Sequence, residues 1–323
     1  MTLPIAILLV VLGLAILAGG GELLVRGAVA IAALAGLTPA VIGLTVVAMG
    51  TSLPELVVSV VAGLEHQPDI AIGNVVGSNI FNLTFIAGLT AMVASLPIRG
   101  NVVRLEWPVM FAASLGFLVS ARDGLIDRVE AGVFLIVLVG FVGYSIRIAR
   151  VDAMPAEVRD LSDQAAARAL HPRHKELLLS VLAVVAGLLL LIIGGRMLVA
   201  GSVRIAQLAG LSERVIGLTI VAAGTSAPEV ATTLVAAARR QTDVAIANLI
   251  GSNIFNLLGI LGVAGLILPI PVSPAIFRGD VWWMLGTSAL IYPLMLGGMK
   301  LSRKEGALLF GAYLLYVGLL LRG

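Results

Sequence analysis

The chain has 323 residues, of which 59% are hydrophobic and only 12% charged, and its formal net charge is +3. Because soluble domains carry about 25% charged residues, this composition excludes an ordinary water-soluble domain and indicates a membrane protein. The chain contains no cysteine, which excludes disulfides and thiolate metal sites.

Apolar stretches of the roughly 20 residues needed to cross a bilayer recur along the whole chain. We predict ten transmembrane helices, at 3–31, 40–64, 70–96, 105–121, 129–146, 177–205, 214–238, 244–271, 281–298 and 305–321. A membrane β-barrel would instead show short segments of alternating polarity. The prediction is therefore an all-α, multi-pass integral protein of the cell membrane.

The basic residues predict the orientation, because Lys and Arg concentrate in cytosolic loops. With both termini outside, thirteen of the 21 Lys and Arg residues fall on the cytosolic side and six on the outer side. We therefore predict an N-out, C-out topology. The positive net charge then reflects topology, and nucleic-acid binding is not expected.

The chain contains an internal repeat whose two copies are 174 residues apart. Gly43–Glu55 reads GLTVVAMGTSLPE and Gly217–Glu229 reads GLTIVAAGTSAPE. At the same offset, Gln67–Asn82 matches Gln241–Asn256, and both of these segments end in GSNIFN.

Five predicted helices precede a loop at 147–176 and five follow it, so the second copy is inverted in the membrane. We predict two five-helix repeats, 1–146 with its motifs at 43–82 and 177–323 with its motifs at 217–256. The cytosolic loop between them is predicted to form a short surface helix. Inverted repeats place substrates near the midplane, where the two halves meet.

Each copy of the motif places one glutamate beside a proline in an apolar span. Pro54 lacks an N–H and interrupts its helix, and Thr51 and Glu55 are four residues apart on one helix face. Thr225 and Glu229 repeat this arrangement. Ionisable residues inside a membrane are costly and indicate function. The sequence therefore predicts a transport site at the two glutamates.

The third and eighth spans each add a polar stripe beside a glycine, Gly77 or Gly251. The stripes are spaced i, i+4, i+8 and consist of Asn74, Ser78, Asn82 and of Asn248, Ser252, Asn256. Asn side chains also hold membrane helices together by hydrogen bonds, so a structural role for Asn74 and Asn248 stays open. Ser52 and Ser226 lie one residue further round the turn than the two threonines and are placed to reach neighbouring ligands.

The candidate ligands are all oxygen atoms, which favours a hard cation. Ca²⁺ takes about six to eight oxygen ligands, whereas softer metals prefer Cys or His. The three histidines (His66, His171 and His174) all fall in predicted loops. The two glutamates together carry a charge of −2, which one Ca²⁺ or two Na⁺ would neutralise. Exchange of three Na⁺ for one Ca²⁺ would be electrogenic, at about 2.3 kcal/mol per charge and 100 mV.

The motif pairs GTSLPE with GSNIFN and GTSAPE with GSNIFN resemble the two α-repeats of the calcium/cation antiporter superfamily, within it the sodium/calcium exchanger family. The resemblance implies alternating access, in which the two long helices at 3–31 and 177–205 slide against an eight-helix core. It also implies four clustered cation sites.

By the same resemblance, Glu55, Glu229, Thr51 and Thr225 would bind Ca²⁺, with the threonines offering backbone carbonyls. Na⁺ would use the same glutamates together with further residues that bind it or flank the centre: Ala48, Ser52, Ser78, Asn82, Ala222, Ser226, Ser252 and Asn256. Potassium-dependent members carry Asp where this chain has Asn256, which implies independence of K⁺.

Alternatives stay open at this stage. A Ca²⁺/H⁺ antiporter would use the same fold, because carboxylates shielded from water also bind protons. A passive cation channel is a remote alternative and would need a continuous pore. An enzyme is not expected, since the chain shows no nucleophile–base arrangement and no nucleotide loop. We predict no cofactor and no obligate protein partner, only Ca²⁺, Na⁺, possible H⁺ coupling and the lipid bilayer.

Overall fold

A computed structural model describes residues 1–34, 48–98, 102–151, 173–238 and 242–322. The start of the predicted second span, 40–47, and most of the predicted connecting loop, 152–172, lie outside this described part, so the surface helix predicted for the loop stays a prediction. Where it is described, the chain is almost entirely helical, which agrees with the predicted fold class.

The described residues of the first half form seven α-helices, interrupted by short turns of other helical types. In chain order the α-helices are α1 (Leu3–Leu34), α2 (Ala48–Thr51), α3 (Leu53–Leu64), α4 (Pro68–Phe81), α5 (Ala87–Val93), α6 (Trp107–Ser120) and α7 (Arg128–Val151). π-helical turns cover Asn82–Ile86 and Val102–Glu106, a 3-10 turn covers Ala121–Asp123, and two strands are β1 (Leu96–Pro97) and β2 (Leu125–Ile126).

The second half breaks at equivalent positions. Its helices are α8 (Arg173–Ala209), α9 (Glu213–Ile216), α10 (Ala222–Thr225), α11 (Ala227–Ala238), α12 (Thr242–Ile254), α13 (Leu261–Ile267), α14 (Val281–Leu296) and α15 (Arg303–Leu320). π-helical turns cover Gly217–Val221, Phe255–Ile260 and Ile276–Asp280, and the strands are β3 (Ile270–Pro271) and β4 (Lys300–Leu301).

Six helical stretches among the described residues are long and apolar enough to cross a membrane. They are Leu3–Ile31, Pro68–Val93, Val102–Asp123, Arg128–Arg147, Glu176–Ala209 and Asn248–Ile267. A further span, Glu213–Thr225 with Ala227–Leu234, is bent by 44°. Helices α14 and α15 occupy the predicted spans 281–298 and 305–321, but α14 has only 16 residues and α15 begins with three charged side chains. The chain is thus an all-α integral membrane protein, and the count of ten stays a prediction.

Burial separates two central spans from four outer ones. The spans Pro68–Val93 and Asn248–Ile267 have 94% and 78% of their apolar window buried. The corresponding values are 28% and 22% for Leu3–Ile31 and Glu176–Ala209, and 33% and 17% for Val102–Asp123 and Arg128–Arg147. The GSNIFN motifs therefore lie at the centre of the bundle, and the two longest helices lie at its edge.

The two halves interlock. The last helix of each half packs against the other half, α15 on α5 and α7 on α13. Two antiparallel strand pairs, β1 with β4 and β2 with β3, also join the halves. These two-residue pairs are a small departure from the all-helical prediction. They form because backbone groups at the helix ends need hydrogen-bond partners.

A charged network that was not predicted from the sequence joins α9, the π-helical turn that precedes α14, and α15. The Arg214 guanidinium donates to both carboxylate oxygens of Asp280, at 2.6 and 3.1 Å, and the Tyr316 hydroxyl donates to Asp280 at 3.0 Å. The repeat equivalent of Asp280 is Glu106, where Ala40 and Val142 replace the two partners. The network around Asp280 is therefore specific to the second half.

The long helices α1 and α8 pack through glycines spaced seven residues apart. Gly13, Gly20 and Gly27 on α1 lie opposite Gly194, Gly187 and Ser180 on α8. A Cβ added to Gly194 would lie 2.9 Å from the Gly13 carbonyl oxygen, which is closer than side chains tolerate. Small residues allow this backbone approach, which supplies the packing energy that membrane helices need to associate.

We expect Gly194→Leu to destabilise the protein by about 1–3 kcal/mol, the usual cost of overpacking a close contact. The measurement is the thermal unfolding midpoint of the purified protein in detergent. Gly19→Leu is a matched control, because no atom of the described residues lies within 4 Å of a Cβ added at Gly19. Equal unfolding midpoints for the two variants would show that the glycine contact does not hold the helix pair together.

Candidate functional site

The two motif glutamates lie where a membrane helix is interrupted and restarts. A turn at Ser52 separates α2 from α3, and a turn at Ser226 separates α10 from α11. Glu55 and Glu229 each lie in the first turn of the restarted helix. The prediction of a broken helix at Pro54 is confirmed. Because a helix N-terminus carries partial positive charge, this position favours a carboxylate.

Each glutamate is bonded by a serine from the other half. The Ser226 hydroxyl donates to Glu55 Oε1 at 2.9 Å, and the Ser52 hydroxyl donates to Glu229 Oε1 at 3.2 Å. All four side chains are at most 1% exposed. Thr225 and Thr51 also lie within interaction range of Glu55 and Glu229, respectively. The structure therefore brings the two repeats together at their carboxylates.

Twelve buried side-chain oxygens of the described residues have no hydrogen-bond partner, and six of them form three repeat-related pairs. These six are Glu55 Oε2 and Glu229 Oε2, Ser78 Oγ and Ser252 Oγ, and Asn82 Oδ1 and Asn256 Oδ1. Buried polar atoms in proteins almost always have partners. A set of unpartnered carboxylate, hydroxyl and amide oxygens has the chemistry of ligands for a hard cation.

Asn74 forms hydrogen bonds to α3, the helix that carries Glu55. Its Nδ2 donates to the Glu55 carbonyl oxygen at 3.0 Å and to Ser59 Oγ at 2.9 Å, and its Oδ1 accepts from Thr225 Oγ1 at 3.0 Å. This network orients the segment that presents Glu55. Asn74 therefore has the structural role that the sequence left open.

The repeat equivalent, Asn248, is arranged differently. It is partly exposed, and its Nδ2 lies 3.4 Å from Thr232 Oγ1. Two identical residues in the repeat thus have unlike surroundings, and the described structure is asymmetric around a symmetric motif.

Hydrogen bonds of Asn253 to Asn82 and Asn79 hold the two GSNIFN segments together, a role that was not predicted from the sequence. Asn82 Nδ2 donates to Asn253 Oδ1 at 3.0 Å, and Asn253 Nδ2 donates to the Asn79 carbonyl oxygen at 3.3 Å. The bond to Asn253 orients the amide of Asn82, whose Oδ1 is one of the unpartnered oxygens. The sequence offered one indication of this contact: both copies of the motif have asparagine at this position, Asn79 in the first and Asn253 in the second.

Small residues bring the first polar stripe close to an interrupted helix. Backbones were expected to approach closely at Gly77 and at Gly251. A Cβ added to Gly77 would lie 2.8 Å from the Ala222 side chain, which confirms this expectation, whereas one added to Gly251 would have no described neighbour within 4 Å. The expectation is therefore wrong at Gly251. The carbonyl oxygen of Ala222 accepts from the Ser226 N–H at 3.1 Å. Its repeat equivalent Ala48 begins α2, but its side chain lies outside what the structure describes.

No group of three or more His, Cys, Asp or Glu side chains capable of holding a metal occurs among the described residues. The candidate site has only two carboxylates, and its other ligands are neutral oxygens. This set resembles a site for hard cations that bind and leave, rather than one that retains a transition metal.

Comparison with known proteins agrees with this chemistry. The family model described as sodium/calcium exchanger protein matches residues 5–147 and 179–322. The putative antiporter CaxA of Alkalimonas amylolytica is 35% identical, with 98% of each chain covered. The sodium/calcium exchanger MaX1 of Methanosarcina acetivorans is 28% identical, with 96% of this chain and 97% of that protein covered.

Solved structures of the sodium-calcium exchanger NCX_Mj share the fold. The structure soaked with 10 mM Na⁺ and 10 mM Sr²⁺ matches with a TM-score of 0.65 and 28% identity, covering 98% of this chain and 99% of that one. These neighbours are transporters and not enzymes, in agreement with the prediction. The chain therefore belongs to the sodium/calcium exchanger family of multi-pass membrane cation antiporters.

Proposed function

We propose that this protein exchanges Na⁺ for Ca²⁺ across the cell membrane by alternating access, with both ions binding in turn at the buried glutamate pair. The observation that carries the proposal is the set of six unpartnered oxygens in three repeat-related pairs, which include Glu55 Oε2 and Glu229 Oε2. Buried acceptor oxygens need either a hydrogen-bond donor or a cation, and no described residue donates to these six. A cation that binds several oxygens at once meets this need.

The proposed residue roles are those that the family resemblance implies. Glu55, Glu229, Thr51 and Thr225 bind Ca²⁺, the threonines through their carbonyl oxygens. The Na⁺ positions use the same glutamates with neighbouring hydroxyl, amide and carbonyl oxygens, from Ala48, Ser52, Ser78, Asn82, Ala222, Ser226, Ser252 and Asn256. The mutual Ser–Glu bonds support this assignment, because each hydroxyl already lies within bonding distance of the opposite carboxylate.

The proposal includes ten membrane crossings in two inverted repeats, 1–146 and 177–323, with the loop 147–176 in the cytosol and both termini outside. The strand pairs support a two-fold relation between the halves, because β1 and β3 begin 174 residues apart and pair with β4 and β2. The glycine-packed pair of α1 and α8 would move as one unit against the core.

The stoichiometry decides whether exchange moves net charge across the membrane. Two glutamates balance one Ca²⁺ or two Na⁺, so a third Na⁺ adds a net positive charge to the sodium-loaded site. We propose exchange of three Na⁺ for one Ca²⁺ and therefore electrogenic transport. Asn256 adds no negative charge that would balance K⁺, which supports independence of K⁺.

The experiment that tests this proposal is ⁴⁵Ca²⁺ uptake into proteoliposomes loaded with Na⁺ and diluted into K⁺-free, Na⁺-free buffer. We expect uptake that requires internal Na⁺, continues with a proton ionophore and accelerates under an inside-positive potential, because net positive charge leaves the vesicle. Protein-free liposomes are the control for leakage.

Other results would contradict specific parts of the proposal. Ca²⁺ uptake that does not require internal Na⁺ but is driven by an imposed pH gradient would indicate the Ca²⁺/H⁺ alternative. Uptake with no counter-ion gradient would indicate a passive channel. Uptake that depends on Na⁺ but not on the potential would contradict the three-to-one ratio alone.

Glu55→Gln should reduce Ca²⁺ exchange by about a hundredfold or more, because it removes half of the charge that balances a divalent ion in a site away from water. It should also remove the rise in unfolding temperature that bound Ca²⁺ gives the wild-type protein.

Glu22→Gln is a matched control for this change. Glu22 is exposed and paired with Arg26 on α1 at 2.5 Å, away from the candidate site. Full exchange by Glu55→Gln, with Ca²⁺ stabilisation intact, would show that the carboxylate does not bind the ion.

Asn256→Asp should change the ion coupling, because a third carboxylate raises the local charge from −2 to −3 and creates room for an additional monovalent cation. We expect Ca²⁺ uptake that becomes sensitive to K⁺, measured with K⁺ and with choline in otherwise identical buffers. Asn82→Asp places the same charge at the repeat-equivalent position and serves for comparison. An ion profile unchanged from wild type would show that residue 256 does not determine the subtype.

A further inference from the structure

A groove of about 460 Å³ lies between α3, which carries Glu55, and the long helix α8. Its walls are apolar: Leu56, Val60 and Leu64 on α3 face Leu188 and Ile192 on α8. The residues on each wall are four apart, so each helix presents one continuous face to the groove. Two charged side chains, Glu65 and Arg196, also line it.

The two charges lie about one helical turn apart along the groove. A Cβ added at Gly21 would lie 3.7 Å from Pro54 and 4.0 Å from Leu191, whereas one added at Gly195 would lie 3.3 Å from Val57 and 3.6 Å from Val61. Residue numbers therefore increase in the same direction along α3 and α8. Arg196, the residue after Gly195, lies beside the turn Val57–Val61, and its long side chain is needed to reach the level of Glu65, where α3 ends.

The groove has the length of one membrane leaflet. From Leu56 to Glu65, helix α3 rises about 14 Å at 1.5 Å per residue. Half of a hydrocarbon core of about 30 Å is about 15 Å. An apolar wall of this length, with Glu65 at its end and the Arg196 side chain reaching toward that end, matches a lipid whose acyl chain reaches the midplane.

The charges at the mouth are available to a ligand. Glu65 and Arg196 are both exposed, and neither makes an ion pair or a side-chain hydrogen bond with any residue that the structure describes. An arginine within a membrane span is costly unless it reaches a polar group. A lipid phosphate is such a group, and a guanidinium binds phosphate through two parallel hydrogen bonds.

Glu65 adds selectivity for the rest of the headgroup. A carboxylate accepts hydrogen bonds from a primary ammonium, which has three N–H donors. A quaternary ammonium has no N–H to donate, and a glycerol headgroup has no positive charge. The pair of charges is thus complementary to phosphoethanolamine more than to phosphocholine or phosphoglycerol.

We propose that this groove binds a phospholipid with a primary-amine headgroup, its acyl chain along α3 and α8, its phosphate on Arg196 and its ammonium on Glu65. Lipid binding does not depend on the transported ion. An effect of the bound lipid on transport rests on the proposed function. If α8 moves against the core during exchange, it moves past α3 and therefore past the lipid between them.

Native mass spectrometry of the purified protein tests the binding. The protein is incubated with phosphatidylethanolamine, phosphatidylcholine or phosphatidylglycerol of identical acyl chains. We expect preferential retention of phosphatidylethanolamine by up to about fivefold, the upper range for a partly exposed ion pair. Equal retention of the three lipids by the wild-type protein would overturn the proposal.

Variants separate the two charges. Arg196→Gln should lower retention of all three lipids, and Glu65→Gln should remove only the preference for phosphatidylethanolamine. Glu65→Lys should shift the preference to phosphatidylglycerol, and since residue 65 is exposed this variant should fold. Arg278→Gln, which changes an exposed arginine on another groove, is the control and should retain the wild-type preference.

The outcomes distinguish this proposal from the proposed function. A wild-type lipid preference in both Arg196→Gln and Glu65→Gln would overturn the lipid site whatever the transport assay shows. Loss of Na⁺-dependent Ca²⁺ uptake with the lipid preference intact would overturn the exchange function and leave the lipid site supported.

Discussion

The burial of two carboxylates inside an apolar bundle is the constraint on which the rest of this structure depends. Moving an ion from water into a protein interior costs several kcal/mol of hydration free energy unless protein groups replace the lost water contacts. Here Glu55 and Glu229 lie at helix N-termini, and each accepts a hydroxyl bond from a serine of the other repeat. Because each carboxylate depends on the opposite half, neither repeat completes its own site. The interlocked packing of α15 and α7 keeps the two halves in this relation.

The peripheral helices meet a different requirement. Lipid tails are as apolar as leucine, so hydrophobicity does not drive membrane helices together, and close van der Waals packing must do so. The seven-residue spacing of glycines on α1 and α8 supplies that packing along most of both helices. The pair is tightly packed internally and, at 28% and 22% burial, only lightly covered by the rest of the bundle. That combination suits two helices that are proposed to move together.

The described structure is less symmetric than the sequence. Asn74 makes three hydrogen bonds around Glu55, whereas Asn248 has one long contact. The Asp280 network has partners that Glu106 lacks. The difference at Asn74 and Asn248 agrees with the proposed alternating access, in which the two repeats would exchange conformations. The difference at Asp280 is present in the sequence itself. The bonds of Arg214 and Tyr316 to Asp280 connect helices of the second half, and the first half has no equivalent of these two partners.

Hydropathy and the 174-residue repeat were enough to predict a helical membrane protein with its polar centre at two glutamates, because both signals are local and periodic. The sequence also located the helix breaks, since proline lacks an N–H wherever it occurs. It did not show that Ser226 bonds Glu55 and Ser52 bonds Glu229, or that Asn253 orients Asn82. Those contacts join residues more than 170 positions apart, and only the packing of one half against the other decides which side chains meet. Composition and spacing thus determined the class of the protein and its candidate ligands, and the tertiary structure decided their partners.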